Sequence, residues 1–319
     1  MATTQRKPPG KTPQPGPRPN AKPLTKKQRR NQAAARSVSL SHRPPWQSPT
    51  VITSLSVGII AVVLIIIVVI NQVGGNGNAT GGTPIQANVA SVLLNPSPSV
   101  IQTVGTGNQS GQLTRLPGDT VLTGSDGKPL IVYVGAEYCP FCAAERWSII
   151  YWLSQFGTFK GLTQIQSSAT DVYADTPSFT FHKTTYTSQY VDFSANEVLD
   201  RNQNTLETPT KTIEALFVKY DAPPYTQEAR GFPFVDIAGL YDLYSTSYSP
   251  KLLANLTWSQ IATKLKDPTD PVTQAIVGNA NIMTAATCIA TKDQPSSVCG
   301  SSTIQAIEPT LKAIKPPTA

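Results

Sequence analysis

Histidine is scarce in this chain. Only His42 and His182 occur in 319 residues. A multi-histidine zinc site is therefore excluded, and a Ser-His-Asp or Cys-His site would have to rest on His182, because His42 lies in a basic tail. Acidic residues are missing altogether from the first fifty positions, which hold eleven Lys and Arg. The remainder carries fifteen basic residues and all nineteen acidic ones, a balance of −4 against the whole-chain +7. The positive total thus belongs to the tail, which argues against a basic, nucleic-acid-binding globule. Charge is sparse overall, at 14%, and only one long apolar run exists.

That run is VITSLSVGIIAVVLIIIVVI, Val51 to Ile70. Its length suits ~30 Å of hydrocarbon. Its β-branched residues lower helix propensity in water, but in lipid every backbone group must be satisfied within the segment. A cleaved signal peptide fits poorly: the stretch before it is long, the run exceeds an h-region, and QVGGNGNATGG is a poor cleavage site. The sequence predicts one transmembrane helix over 51–71. The charge asymmetry puts residues 1–50 in the cytoplasm and the rest outside, a single-pass signal anchor. Residues 1–50 are rich in Pro, Lys, Arg and Gln and cannot bury enough apolar surface to order themselves. They read as a disordered arm that touches anionic lipid headgroups, with a Pro-rich partner ligand or nucleic acid as the alternative; no specific nucleic acid is expected. Only Lys26 to Arg30, KKQRR, is densely charged. Residues 72–90 read as a flexible spacer and 91–319 as one extracytoplasmic domain.

The informative stretch is Lys128 to Phe159. Leu130–Val134 is a continuous β-rich apolar run, the mark of a strand covered on both faces. Cys139-Pro140-Phe141-Cys142 follows, and then AAERWSIIYWLSQF, whose spacing predicts an amphipathic helix with Gly157 as its C-cap. Cys139 sits just ahead of that helix, where unpaired N–H groups favour a thiolate; Cys142 lies one turn along. Cys139 is the candidate nucleophile and Cys142 the resolving thiol. Pro140 fits the first helical turn. Trp147 reads as core, Arg146 as a surface ion-pair residue and Glu137 as a solvated loop residue, with the alternatives that Arg146 and Trp147 flank the site and that Glu137 serves as proton acceptor. A structural pair or a zinc site with Cys288 and Cys299 are the competing readings of CPFC; no metal and no cofactor is expected.

AEYCPFC resembles the active-site segment of the thioredoxin superfamily. VGAEYCPFCAAERW, GFPFVDIAGLY and CIATKDQPSSVC together resemble a membrane-anchored thioredoxin-like family catalogued as domain of unknown function 929, over most of residues 90–300. The resemblance implies an α/β, thioredoxin-like fold: a central mixed sheet flanked by helices, with an insertion. It implies a cis-proline at Pro233 before a strand starting at Phe234, with the Phe232 backbone offering hydrogen bonds to an extended substrate chain; an ordinary trans proline opening an edge strand is the alternative. The chain departs from many thioredoxins in carrying Tyr133 where they have a buried Asp, so the proton acceptor for Cys142 is unassigned.

Cys142 and Pro233 are 91 positions apart, which leaves room for an insertion, read over about 170–228. Thr163–Ala169 reads as the next strand, Ser178–Phe181 and Gln189–Asn196 as further strands or a hairpin, and Thr210–Tyr220 as a short helix. The aromatic insertion is either an extra layer over the core or a substrate-contacting lid. His182 reads as a hydrogen-bonded or surface residue. After an apolar helix from about Asp270 to Ala290, Cys288 and Cys299 read as a structural disulfide, with a second redox pair as the alternative. Sequons stand at Asn78, Asn108 and Asn255. The leading expectation is a membrane-tethered thiol–disulfide oxidoreductase whose partners are exported-protein thiols and disulfides and a membrane redox partner. The alternative is a non-catalytic binding or assembly module on the same fold.

Overall fold

Residues 82–109, 113–226 and 231–318 are described by a computed structural model. The tail read over 1–50, the span read over 51–71, the spacer as far as residue 81 and the Asn78 sequon lie outside them. Among the described residues no helix is long and apolar enough to cross a membrane.

The described chain opens with β1 (Thr83–Pro84), α1 (Ala87–Leu93), α2 (Pro98–Val104) and β2 (Thr114–Arg115). The end of the segment read as spacer thus carries a strand and the start of a helix, held by the burial of Val89 and Leu93. Then come β3 (Leu130–Gly135), α3 (Pro140–Leu153), four short strands β4 (Gly157–Lys160), β5 (Thr163–Gln166), β6 (Pro177–Thr180) and β7 (Thr185–Ser188), and β8 (Asp192–Glu197). After α4 (Lys211–Tyr220) the chain forms β9 (Phe234–Ile237) and β10 (Tyr241–Tyr244). A 3-10 turn at Pro250–Leu253, then α5 (Trp258–Lys264), α6 (Pro271–Thr291), α7 (Ser296–Cys299) and α8 (Ser302–Lys312) complete it.

The main sheet is mixed, in the order β2-β10-β9-β3-β8. β3 runs parallel to β8 and antiparallel to β9. Because side chains alternate along a strand, β3 divides the interior. Ile131 and Tyr133 join the large apolar cluster that holds α3 and α6, whereas Val132 and Val134 join a smaller one with Ile213 and Phe217 of α4.

Thr163–Ala169, read as the next strand, is a strand over Thr163–Gln166, but the place beside β3 in the main sheet belongs to another. β8 takes that place with six paired residues, from Leu130↔Asp192 to Gly135↔Glu197, while the shorter β5 pairs with β1 and β6 in a separate sheet. The expected amphipathic character of α3 needs correction: every residue in it except Phe141 is buried. β6 covers one side, where Trp147 Nε1 donates to the Pro177 carbonyl at 2.9 Å and its ring meets Phe179 edge-on at 4.7 Å. α6 covers another, with Ser148 Oγ donating to the Ile276 carbonyl and Trp152 Nε1 to Thr287 Oγ1, both at 3.0 Å. The helix ends at Leu153 with Ser154 as its C-cap, and Gly157 instead opens β4.

Candidate functional site

Strand register assembles the site. Val134 pairs with Phe234, so the chain entering β9 arrives beside the end of β3. From that same end the connection 135–138 leads to Cys139. The parallel pairing sets Glu197 opposite Gly135. CPFC, Phe232–Pro233 and Glu197, far apart in sequence, therefore meet at the C-terminal end of β3.

Cys139 is the N-cap of α3, and its Sγ accepts the Cys142 N–H at 3.2 Å. The thiol faces the Phe232 carbonyl oxygen at 3.8 Å. The Phe232–Pro233 bond is cis, and the Phe232 ring stacks on Phe217 at 5.8 Å. Pro140 occupies the first helical turn, where its missing N–H leaves no gap in the hydrogen bonding. Phe141 is half-buried and meets Tyr173 edge-on at 6.2 Å; Tyr173 and its neighbour Val172 are among the few large apolar side chains that face solvent. Cys139 keeps 6% of its surface exposed and Cys142 none. Both are free thiols.

The two sulfurs differ electrostatically. Cys139 is held below the usual thiol range, chiefly by a hydrogen bond from the Cys142 thiol, and further by the Cys142 N–H and the Arg146 charge, against the opposing effect of burial. Cys142 is pushed well above it, first by burial and then by the neighbouring sulfur. One thiol is poised to ionise and the other to keep its proton.

Beneath them lies a buried ion pair. Arg146 Nε and Nη2 grip the Glu197 carboxylate at 2.8 and 2.6 Å, and neither side chain is exposed. Nη2 also donates to the Ala136 carbonyl at 2.9 Å, and Nη1 to Ser178 Oγ at 3.3 Å. Glu197 Oε1 accepts the Phe181 N–H as well. Glu207 accepts the Glu197 N–H at 2.7 Å through one oxygen and faces His182 Nδ1 at 2.6 Å through the other. Glu137 is buried nearby, and burial raises its carboxyl above the usual range.

The sequence profile of the family described as "Domain of unknown function (DUF929)" matches residues 122–289, more than half of the chain. The chain belongs to the DUF929 family. No curated protein and no solved structure matches it. The matched stretch contains β3, CPFC, α3, Glu197, Phe232–Pro233 and Cys288.

Arg146 and Glu137 depart from expectation in this DUF929 domain. The sequence places both in solvent. Glu197 supplies the partner that lets Arg146 stay charged in the interior, and the chain just past β8 holds Glu137 through the bond from its N–H to the Leu199 carbonyl at 2.8 Å. Glu197 and Glu207 are site residues that the sequence reading misses. The available signal is the position of Arg146 four residues after Cys142, on the same face of the helix. Cys288 and Cys299 form a disulfide, with Cα atoms 5.5 Å apart. They belong to the large cluster rather than to the one holding CPFC, which makes them a staple of α6 to α7. Among the described residues no group of three or more His, Cys, Asp or Glu is placed to hold a metal ion.

Proposed function

We propose that this protein is a thiol–disulfide oxidoreductase with a thioredoxin-like fold. It is tethered to the membrane by the 51–71 segment and acts outside the cytoplasm on cysteines of exported proteins. The observation that carries this reading is the asymmetry of the CPFC pair. An N-cap sulfur with a lowered pKa, on a residue that keeps 6% of its surface exposed, lies one helical turn from a fully buried thiol with a raised one. A pair kept only for packing has no need of that difference. The fold reading is supported by the order β8-β3-β9-β10, with the CPFC helix following β3, the first strand of a parallel pair, and α4 lying between that pair and the antiparallel one.

From the dithiol, the Cys139 thiolate attacks one sulfur of a substrate disulfide. The substrate S–S bond breaks, a mixed disulfide forms, and the first substrate sulfur leaves as a thiolate. Cys142 then gives up its proton and attacks the Cys139 sulfur. The mixed disulfide breaks, the second substrate sulfur leaves and takes a proton, and the protein holds a Cys139–Cys142 disulfide. Two electrons have passed to the substrate; the reverse sequence oxidises a substrate dithiol. The Phe232 backbone, beside Cys139, aligns the extended substrate strand. A membrane redox partner resets the pair.

In the Cys142→Ala variant the second step is blocked, so dithiothreitol-reversible adducts of exported proteins should accumulate on Cys139. The reading fails if no adducts form and the Cys139–Cys142 bond of the wild type resists dithiothreitol.

A further inference from the structure

We propose that Arg146 is the positioning residue of this dithiol: its guanidinium, clamped by Glu197, holds negative charge on the Cys139 and Cys142 sulfurs during exchange. The consequence rests on the oxidoreductase reading, although its measurement does not.

Residues 139, 142 and 146 stand at i, i+3 and i+7, so the N-cap sulfur, the resolving sulfur and the guanidinium share one stripe of α3. A second contact ties the guanidinium to the backbone of Cys139. The Ala136 carbonyl accepts from Arg146 Nη2 at 2.9 Å and also from the Cys139 backbone N–H at 3.3 Å. The guanidinium and the residue carrying the attacking sulfur are thus hinged on one oxygen atom. Arginine cannot shed its proton at this burial, whereas lysine could. The two-pronged grip of Glu197 prevents the side chain from swinging away.

The chemistry requires such a charge. Cys142 must ionise to attack the mixed disulfide, and it does so with no exposure to water. In that environment a neighbouring cation acts with far less screening than at a surface. The other titratable groups around the sulfurs do not supply it. Tyr133 on β3 and Tyr138 in the connection are pushed up by burial, the latter to about 12, and remain neutral. Glu137, Glu197, Glu207 and Asp171 are carboxylic acids and offer no cation, and His182 faces Glu207. Arg146 is the cation that lowers the pKa of both sulfurs.

The test is the pH profile of Cys139 alkylation by iodoacetamide, on the reduced full-length chain in detergent. Removing Arg146 alone would strand the Glu197 charge, so the variant is the pair Arg146→Met with Glu197→Gln. Its alkylation midpoint should rise by about one pH unit, about a tenfold loss of thiolate on the acid side. A folded double variant with the wild-type midpoint would overturn the proposal. Should circular dichroism show the double variant unfolded, Arg146→Gln with Glu197→Gln decides. It keeps a hydrogen-bonded contact at the site without the cation, so the midpoint should again rise; no movement overturns the proposal. If the oxidoreductase reading itself is wrong, adducts are absent from the Cys142→Ala trap while the effect of Arg146 on the alkylation midpoint remains.

Discussion

Asp236 on β9 and Asp242 on β10 are cross-strand partners, and both are buried. Asp236 accepts the Gly239 N–H at 2.7 Å and Asp242 the Tyr244 hydroxyl at 2.8 Å. The remaining oxygen of each has no donor among the described residues except the facing carboxyl, so one shared proton satisfies both. Burial pushes Asp236 up to about 6; burial and then the Asp236 charge push Asp242 well above the carboxylate range. Both folded values lie above the unfolded ones. The stabilisation from Asp236 is therefore fully present below about pH 4 and is lost as pH rises through about 6. Between about pH 5 and about pH 7.5 the loss from Asp236 should be on the order of 1 kcal/mol. Asp236→Asn removes the carboxyl that ionises in this window while its amide can still face Asp242, so the drop in urea midpoint between these pH values should shrink. Equal drops in variant and wild type would refute Asp236 as the group responsible. Such pairs show why single residues differ in legibility. Cys139, Pro140, Cys142, Phe232 and Pro233 are readable because their role is written in local spacing. The burial of Arg146 depends on a carboxylate 51 positions away, and that of Asp242 on a strand register, neither of which local pattern encodes.

At the scale of elements, strands and helices with strong periodicity are legible: β3, α4 and α6 lie within a residue or two of the expected spans. The expectation for α3 fails for a physical reason. Its apolar spacing describes a helix with one covered face, yet β6 and α6 cover it from two further directions. Polar residues on those faces are then satisfied internally; Glu145, for example, accepts from Asn279 Nδ2 and the Ser247 N–H. The strands between α3 and β8 thus do the work of an extra layer over the core. They also bring Tyr173 to the edge of CPFC. The end of α6 relies on a covalent tie. Its C-cap Lys292 has φ 54° and is followed by Asp293 at φ 60°, and the disulfide closes this turn across a sequence separation of 11. Chain-entropy arithmetic for a loop of that length gives about 2–3 kcal/mol. The Cys288→Ala, Cys299→Ala double variant should lose stability by that amount in thermal unfolding. It should keep the alkylation profile of Cys139, because the two cysteine pairs lie in different apolar clusters. A changed profile would mean that the second pair is coupled to the first.

For the molecule as a whole, the controlling feature is where charge is absent. Between Arg43 and Arg115 the sequence has 71 consecutive uncharged residues, with eleven basic residues before and a net acidic chain after. Orientation in a membrane follows basic residues close to the span rather than net charge. In the proposed topology, therefore, the basic arm is retained in the cytoplasm and the CPFC domain is exported. That assignment has a chemical corollary, since a disulfide persists where thiols are not kept reduced. Protein alkylated in intact cells without reductant should show Cys288 and Cys299 unmodified by mass spectrometry, while a membrane-impermeant maleimide labels Cys139 once the CPFC pair has been mildly reduced. Neutralising all eleven tail residues to Gln and placing four Lys within 73–80 reverses the bias across the span. A substantial fraction of this variant should turn over, with Cys139 shielded from the impermeant reagent and Cys288 and Cys299 reduced in the same molecules. Shielding of Cys139 in the unaltered protein would place the domain on the other side and remove exported proteins as its substrates. Labelling that persists after the charge reversal would show that export of the domain does not depend on the basic arm.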